Sequence, residues 1–304
     1  MNRLGLCCVF AEQPIKFRTT TAKAAGKLTR QNRFEKLAEL CLDNARALLA
    51  ALDYCHCHKI GCFRVNSRIL PIKTHPQLGY RITDLPGGKE IVAHFERCGE
   101  FARQHGLRTT FHPDQFVVLN SPDPRVVRSS VSEIEYQTEV AQWIGADVIN
   151  IHGGGGYGDK PAALRRFVRN LTGLSSEARK RLTVENDDKV YTPSDLFPLC
   201  VATGLPLVYD VHHHRCQPDS LTVTEATEQA LGTWDREPLF HISSPLGGWG
   251  GPRPNRHHDY INLGDFPVEW EPLDVTIEVE AKAKELAIHR LQTGLTKRIK
   301  RRNS

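Results

Sequence analysis

Along the chain, short apolar or β-branched runs alternate with longer stretches in which apolar residues return every three or four positions. The short runs read as strands and the longer ones as amphipathic helices. Strands are predicted over 3–9, 62–65, 108–111, 148–151, 182–184, 207–209, 239–241 and 274–279, with helices over 32–52, 89–104, 124–144, 161–171, 222–233 and 281–291. Strand–helix alternation implies a parallel sheet, and eight repeats favour closure into one (β/α)8 TIM barrel, an α/β fold, over an open doubly wound sheet. The seventh unit reads as degenerate, because a Gly/Pro-rich segment at 245–254 stands where its helix would begin. Residues 1–293 are assigned to the barrel, and the basic tail 294–304 is expected to be disordered. Two connections, 11–31 and 66–88, are long for α/β loops, and long loops in compact domains are usually functional or unstructured.

Composition fits a folded chain: 40% of the 304 residues are hydrophobic and 25% are charged. The formal charge of +5 favours an anionic partner, but part of it sits in the terminal run Lys297, Arg298, Lys300, Arg301 and Arg302, so charge alone does not establish nucleic-acid binding. Nine cysteines accompany a start that lacks a cleavage signature, so reduced thiols and a cytoplasmic location are expected. No apolar stretch approaches the roughly 20 residues needed to span a bilayer. Cys55, Cys57 and Cys62, interleaved with His56 and His58, lack the paired spacing of a zinc knuckle.

The candidate chemistry lies where the strands end. Strand three runs into His112, strand four into His152, strand five into Glu185, and strand six into Asp210 with His213 three residues on, while strand seven ends at His241. In a barrel the carboxyl ends of the strands share one face, so these residues converge. Strand eight adds Glu278 and Glu280, which fall on one face by the period-two rule, and at least one must point inward. The loop before it offers His257, His258 and Asp259. A set of imidazoles and carboxylates without thiolate suits manganese, zinc or iron, and eight candidates exceed what one catalytic ion takes. Arg64, Arg68, Lys73, His75, Lys16 and Arg18 lie where they could meet phosphates. The run His152-Gly153-Gly154-Gly155-Gly156 resembles an esterase oxyanion stretch, but no G-x-S-x-G elbow accompanies it, and glycine at these positions would let backbone approach a metal or phosphate.

At His112-Pro113-Asp114-Gln115-Phe116, Glu185-Asn186-Asp187-Asp188, Asp210-Val211-His212-His213, His241-Ile242-Ser243-Ser244-Pro245 and Glu280-Ala281-Lys282, the chain resembles the UV-damage endonuclease family, barrels related to endonuclease IV. The resemblance implies two to three divalent ions, commonly manganese, with zinc as the alternative. It places His112, His152 and Glu185 on one ion, Glu185, Asp210, His241 and Glu280 on a second, and His213 with His257 on a third. Glu185, Asp210 and Glu280 are thereby implicated in catalysis. Asn255 stands where endonuclease IV has an aspartate, and Leu239 where some relatives carry a lysine that becomes a metal-binding carbamate, so both departures weaken the third site. Gln115 and Phe116 match a pair that wedges into the duplex opposite the lesion. Leu6 and Phe10 replace more polar residues near the lesion pocket, and Arg64 is counted with them as a DNA contact.

The implied activity is hydrolysis of the phosphodiester 5′ to ultraviolet photoproducts in double-stranded DNA, leaving a 3′-hydroxyl and a 5′-phosphate, by a monomer acting at the nucleoid. Two rivals remain from other classes. A sugar isomerase or epimerase of the same barrel superfamily needs fewer ions and a closed pocket, and a non-catalytic DNA-binding barrel needs no ligands at all.

Overall fold

The computed structural model describes residues 2–302. Eight parallel strands, β1 (Arg3–Cys7), β2 (Cys62–Val65), β3 (Arg108–Phe111), β4 (Val148–His152), β5 (Leu182–Glu185), β6 (Leu207–Asp210), β7 (Leu239–Ile242) and β8 (Thr276–Val279), close into a barrel in sequence order. The seam is sealed by β1 against β8, with Gly5 opposite Glu278. A Cβ on Gly5 would lie 3.1 Å from the Glu278 side chain and 3.2 Å from that of Cys62, so the seam admits only a minimal residue there.

Around the barrel run α1 (Ala22–Ala25), α2 (Arg30–Cys57), α3 (Gly88–Gln104), α4 (Pro124–Ile144), α5 (Lys160–Leu171), α6 (Ser176–Arg181), α7 (Pro193–Thr203), α8 (Val211–Cys216), α9 (Val223–Leu231) and α10 (Lys284–Arg302). Their starts follow local chemistry: α4, α5 and α7 carry proline in the first turn, where its missing N–H costs nothing, after the capping side chains of Asp123, Asp159 and Thr192. The helix α7 has no counterpart in the pattern reading, because Pro198 interrupts it and its run Leu196–Cys200 is apolar without a helical period. Strands β4 to β7 each extend one residue beyond the predicted end, which draws His152, Glu185 and Asp210 into the sheet itself. No α-helix follows β7; two 3-10 turns, Leu263–Asp265 and Val268–Trp270, fill that sector, and the buried Trp270 ring packs on Phe240. The segment expected as a disordered tail instead continues α10 to Arg302, where Arg298 pairs with Glu271; the last two residues lie outside those described. Among the described residues no helix is long and apolar enough to cross a membrane.

Outward-facing strand residues such as Leu6, Phe63, Phe111, Ile151, Val184 and Phe240 join one core with the helices. The barrel interior is different. Its lower layer is a small apolar plug of Val148, Val208 and Leu239, and above it the inward positions turn polar: Thr110, Asn150, Thr183, Glu185, Asp210, His241 and Glu278 are all buried. The polar layer therefore sits at the carboxyl ends of the strands, on a dry floor.

Candidate metal centre

Each donor reaches the rim because its strand aims it there. Glu185 is central and fully buried: its Oε2 lies 3.0 Å from His112 Nε2, and its Oε1 lies 3.1 Å from His241 Nδ1 and 3.3 Å from His213 Nδ1. Asp210 Oδ2 is 3.5 Å from His213 Nδ1, and Glu280 lies 3.6 Å from His241 Nδ1 and 3.8 Å from His257 Nδ1. Three sets of donors fall within 4.8 Å of one another: His112, His152 and Glu185; His112, His241 and Glu280; and Glu185, Asp210 and His213. Glu185 belongs to two sets, and a carboxylate with two oxygens could bridge two ions; His112 also belongs to two, but with one open nitrogen it could serve only one of them.

The grouping differs from the family expectation in two respects. His112 also joins His241 and Glu280, and His213 falls with Glu185 and Asp210. His257 stands outside all three sets, its ring 6.3 Å from that of His213. Nearby, Asn255 donates to Asp188 at 2.7 Å, and Leu239 lies in the apolar plug two residues below His241, so neither position supplies a donor of its own to the rim.

A cation needs free lone pairs, and the rim holds them. His152 Nδ1 and Asp210 Oδ2 are buried atoms without a hydrogen-bond partner, which is costly unless something occupies the space they face. Burial pushes the His152 ring down, toward the neutral form that ligates. At His112 and His213 the Nδ1 atoms lie 3.1 Å and 3.0 Å from the carbonyls of Pro113 and Asn186. A carbonyl only accepts, so Nδ1 carries the proton in the neutral rings and Nε2 is left open. Burial opposes charge on Glu185, but His241, His152 and His112 hold its carboxyl well below the usual range. The donor set and its unpartnered atoms thus fit divalent ions.

Beneath the donors sits a layer of supports. Asn150 donates to Glu185 Oε2 at 2.5 Å and is itself held by Thr183 at 3.0 Å. Glu278, 1% exposed, accepts from Thr110, from Arg64 Nε at 2.5 Å, and faces His241 Nε2 at 3.0 Å. Both Glu278 Oε2 and Arg64 Nη2 lie against His241 Nε2, at 3.0 Å and 2.9 Å; ligation through His241 Nδ1 would put the ring proton on Nε2, with Glu278 as the acceptor to meet it. Burial would raise the Glu278 carboxyl, yet Arg64 and His241 bring it to about 2. Of the two glutamates left open by the sequence, Glu280 is therefore the rim donor and Glu278 its support. His258 likewise turns aside, its Nδ1 accepting from the Tyr260 N–H at 2.9 Å.

Two expected DNA contacts are corrected. Arg64 is buried inside the barrel, spent on Glu278 and on Glu280 at 2.6 Å, because β2 points it inward at the level of the acids. Leu6 is fully buried on the opposite face of β1, whose inward positions are Gly5 and Cys7, and packs in the helix layer. Phe10 is half-buried, stacked on Phe63 and edge-on to Tyr54, and stays partly exposed. Lys73 and Arg18 are also committed elsewhere, to Glu139 and to Glu39 with Asp43. Gln115 and Phe116 do border the centre: with His112, His152, Glu185 and Glu280 they line a cavity of about 740 Å³, and the Phe116 ring is 76% exposed at its mouth. In the glycine run, Gly154 has φ +86° and a Cβ there would strike Asn120 at 2.2 Å, so packing against a side chain already demands that glycine.

The reading missed Asn150, Thr183, Thr110 and the role of Glu278. A signal was present: each stands two positions before a rim donor, and the pleat returns to the same face every second residue.

A parallel barrel with a buried, imidazole-rich acidic rim defines a TIM-barrel protein whose rim could hold metal ions, and its fold is shared by an endonuclease IV and a sugar epimerase. The fold likeness extends to both: endonuclease IV from Thermus thermophilus matches with a TM-score of 0.61 at 16% identity over 97% of this chain and 99% of that one. D-psicose 3-epimerase from Clostridium cellulolyticum matches at 0.55 and 11%, over 91% and 84%. Sequence is more particular. Residues 2–303 match the family described as UV-endonuclease UvdE, and the chain belongs to it. A UV DNA damage endonuclease of Deinococcus radiodurans is 34% identical over 95% of this chain and 94% of its own length, and that of Bacillus velezensis 33% identical over 95% and 91%. The crystal structure of SacUVDE superposes with a TM-score of 0.86 at 27% identity, covering 98% of this chain and 99% of that one.

Proposed function

We propose that the protein is a metal-dependent DNA repair endonuclease that hydrolyses the phosphodiester 5′ to ultraviolet photoproducts, cyclobutane dimers and 6-4 products, leaving a 3′-hydroxyl and a 5′-phosphate. It acts as a monomer on double-stranded DNA, in the cytoplasm at the nucleoid. The observation that carries this reading is the convergence of His112, His152, Glu185, Asp210, His213, His241 and Glu280 in overlapping donor sets beside an open cavity. Two to three divalent ions held by these residues, manganese first and zinc second, would supply Lewis-acid activation of water near neutral pH and charge compensation for the phosphate. Glu185 spans two donor sets and fixes their separation, while His257 borders the same cavity. Phe116, with Gln115, would enter the base stack, which its exposure at the cavity mouth supports. Unstacking costs a few kcal/mol per step and least where a lesion has weakened pairing, so insertion favours damaged sites. An epimerase shares the fold but needs a closed pocket for a small sugar, against an exposed aromatic at the mouth here.

The test is nicking of irradiated supercoiled plasmid with manganese, with Glu185→Gln as control. Relaxed circles from the wild type alone support the endonuclease. Retarded plasmid without nicks would mean a binder, and neither nicking nor retardation would return the epimerase.

A further inference from the structure

A second recess, of about 490 Å³, opens on the β1/β8 side of the rim and shares Glu280 and His257 with the cavity of the metal centre. Its walls carry Arg256, Lys282 and Lys284. Among the described residues, none of these three cations forms an ion pair with a carboxylate, although Glu280 lines the same recess. Arg64, at the floor, is already matched by Glu278 and Glu280. Three uncompensated cations therefore converge where the acidic rim would otherwise repel a polyanion.

The recess is also built rather than loose. Lys284 and Cys8, which both line it, hold left-handed backbone at φ +50° and +56°, which non-glycine residues keep only where surroundings over-determine it. The fully buried Glu285 carboxylate accepts the N–H groups of Ala11 and Glu12, each at 2.8 Å, and so ties the β1 loop to the start of α10. Lys282 N–H and Ala283 N–H bond the carbonyls of His258 and Asp259 at 3.1 Å and 3.0 Å, which locks the Arg256 loop to the same point.

We infer that this recess is a phosphate-binding subsite for the DNA strand flanking the scissile phosphate, with Arg256, Lys282 and Lys284 as its cations; the inference rests on the endonuclease reading. A strand advances about 3.4 Å along the helix axis per nucleotide, so one whose reacting phosphate lies over Glu280 carries its neighbours into the adjoining recess. Such contacts position the duplex without reading its sequence.

The experiment measures duplex affinity by fluorescence anisotropy from 50 to 200 mM salt, for irradiated and unirradiated oligonucleotides. Each phosphate contact contributes about −0.9 to the slope of log K against log salt, so R256A/K282A, both exposed side chains, should flatten the slope by about 1.8. Affinity should fall by the same factor on both duplexes, and manganese binding should stay at the wild-type value. K284N, with a residue that tolerates left-handed backbone, should flatten the slope by about 0.9, and K282R should restore the wild-type slope at that position. Unchanged slopes in all variants overturn the subsite while leaving the endonuclease reading standing. A wild type that binds neither duplex overturns both.

Discussion

Replacing Glu278 by glutamine should weaken metal binding although Glu278 is not itself a rim donor. Three groups converge on this carboxylate as donors: Arg64 Nε–H, the Thr110 hydroxyl and, when His241 ligates through Nδ1, its Nε2–H. A carboxylate accepts at both oxygens, but an amide turns one of them into a donor facing these donors. The change also removes one of the two negative charges that balance the buried Arg64. Glu280, already 2.6 Å from Arg64 Nη1, would be left as its sole acid partner and drawn off the rim. Partners that orient ligands in this way are typically worth 10–100-fold in metal affinity, or about 1.4–2.8 kcal/mol. Breaking a buried ion pair outright costs about 3–5 kcal/mol of stability, and the retained Glu280 contact places E278Q at or below the lower end. Manganese titration by calorimetry, with thermal unfolding in parallel, reads both quantities. A folded E278Q that binds manganese within threefold of the wild type would refute the proposed positioning of His241 and Glu280.

Other perturbations separate the parts of the protein. Phe116→Ala removes a ring that is 76% exposed, so stability should move by no more than about 0.5 kcal/mol while the preference for irradiated over intact plasmid falls; a large drop in melting temperature would show that the ring packs rather than probes. Chelation should lower the melting temperature, since a ligand present at 100 times its dissociation constant stabilises the native state by about 2.7 kcal/mol, and equal melting with and without EDTA would count against occupied sites. Burial would raise the Asp219 carboxyl, but the Ser194 and Leu221 N–H groups and the His214 ring bring it from 3.8 to about 2. Its contribution is therefore complete above about pH 4 and is lost as pH falls toward 2, a dependence that Asp219→Asn should remove from acid-unfolding curves.

The sequence made the barrel legible because each repeat couples a short buried run to a helical period, and because residues such as Pro124 and Gly145 suit a helix start and stop by local rules. The elements it hid are those whose local pattern contradicts their state. Among these, α7 carries an internal proline, and α10 continues through the cations that suggested a solvated tail. The rim donors were legible for another reason: ionisable residues at successive strand ends have one meeting place. The direction of Leu6 and Arg64 was not, since one residue of strand register decides whether a side chain enters the barrel or the helix layer.

That register also explains why the supporting polar residues belong where they are. Thr110, Asn150, Thr183 and Glu278 stand two residues below His112, His152, Glu185 and Glu280, so every second residue along these four strands continues the polar interior. Below Asp210 and His241 the same positions hold Val208 and Leu239, which with Val148 make the dry plug. The interior is thus polar on the β3, β4, β5 and β8 sides and apolar beneath β6 and β7. Arg64 enters from β2 to offset the acids on the β8 side, whereas Glu185 is met by Asn150 and imidazoles alone. Among the described residues no arginine or lysine forms an ion pair with Glu185 or Asp210, so the compensation that Arg64 gives to Glu278 and Glu280 has no arginine or lysine counterpart there, and divalent ions held by the donor sets would supply it.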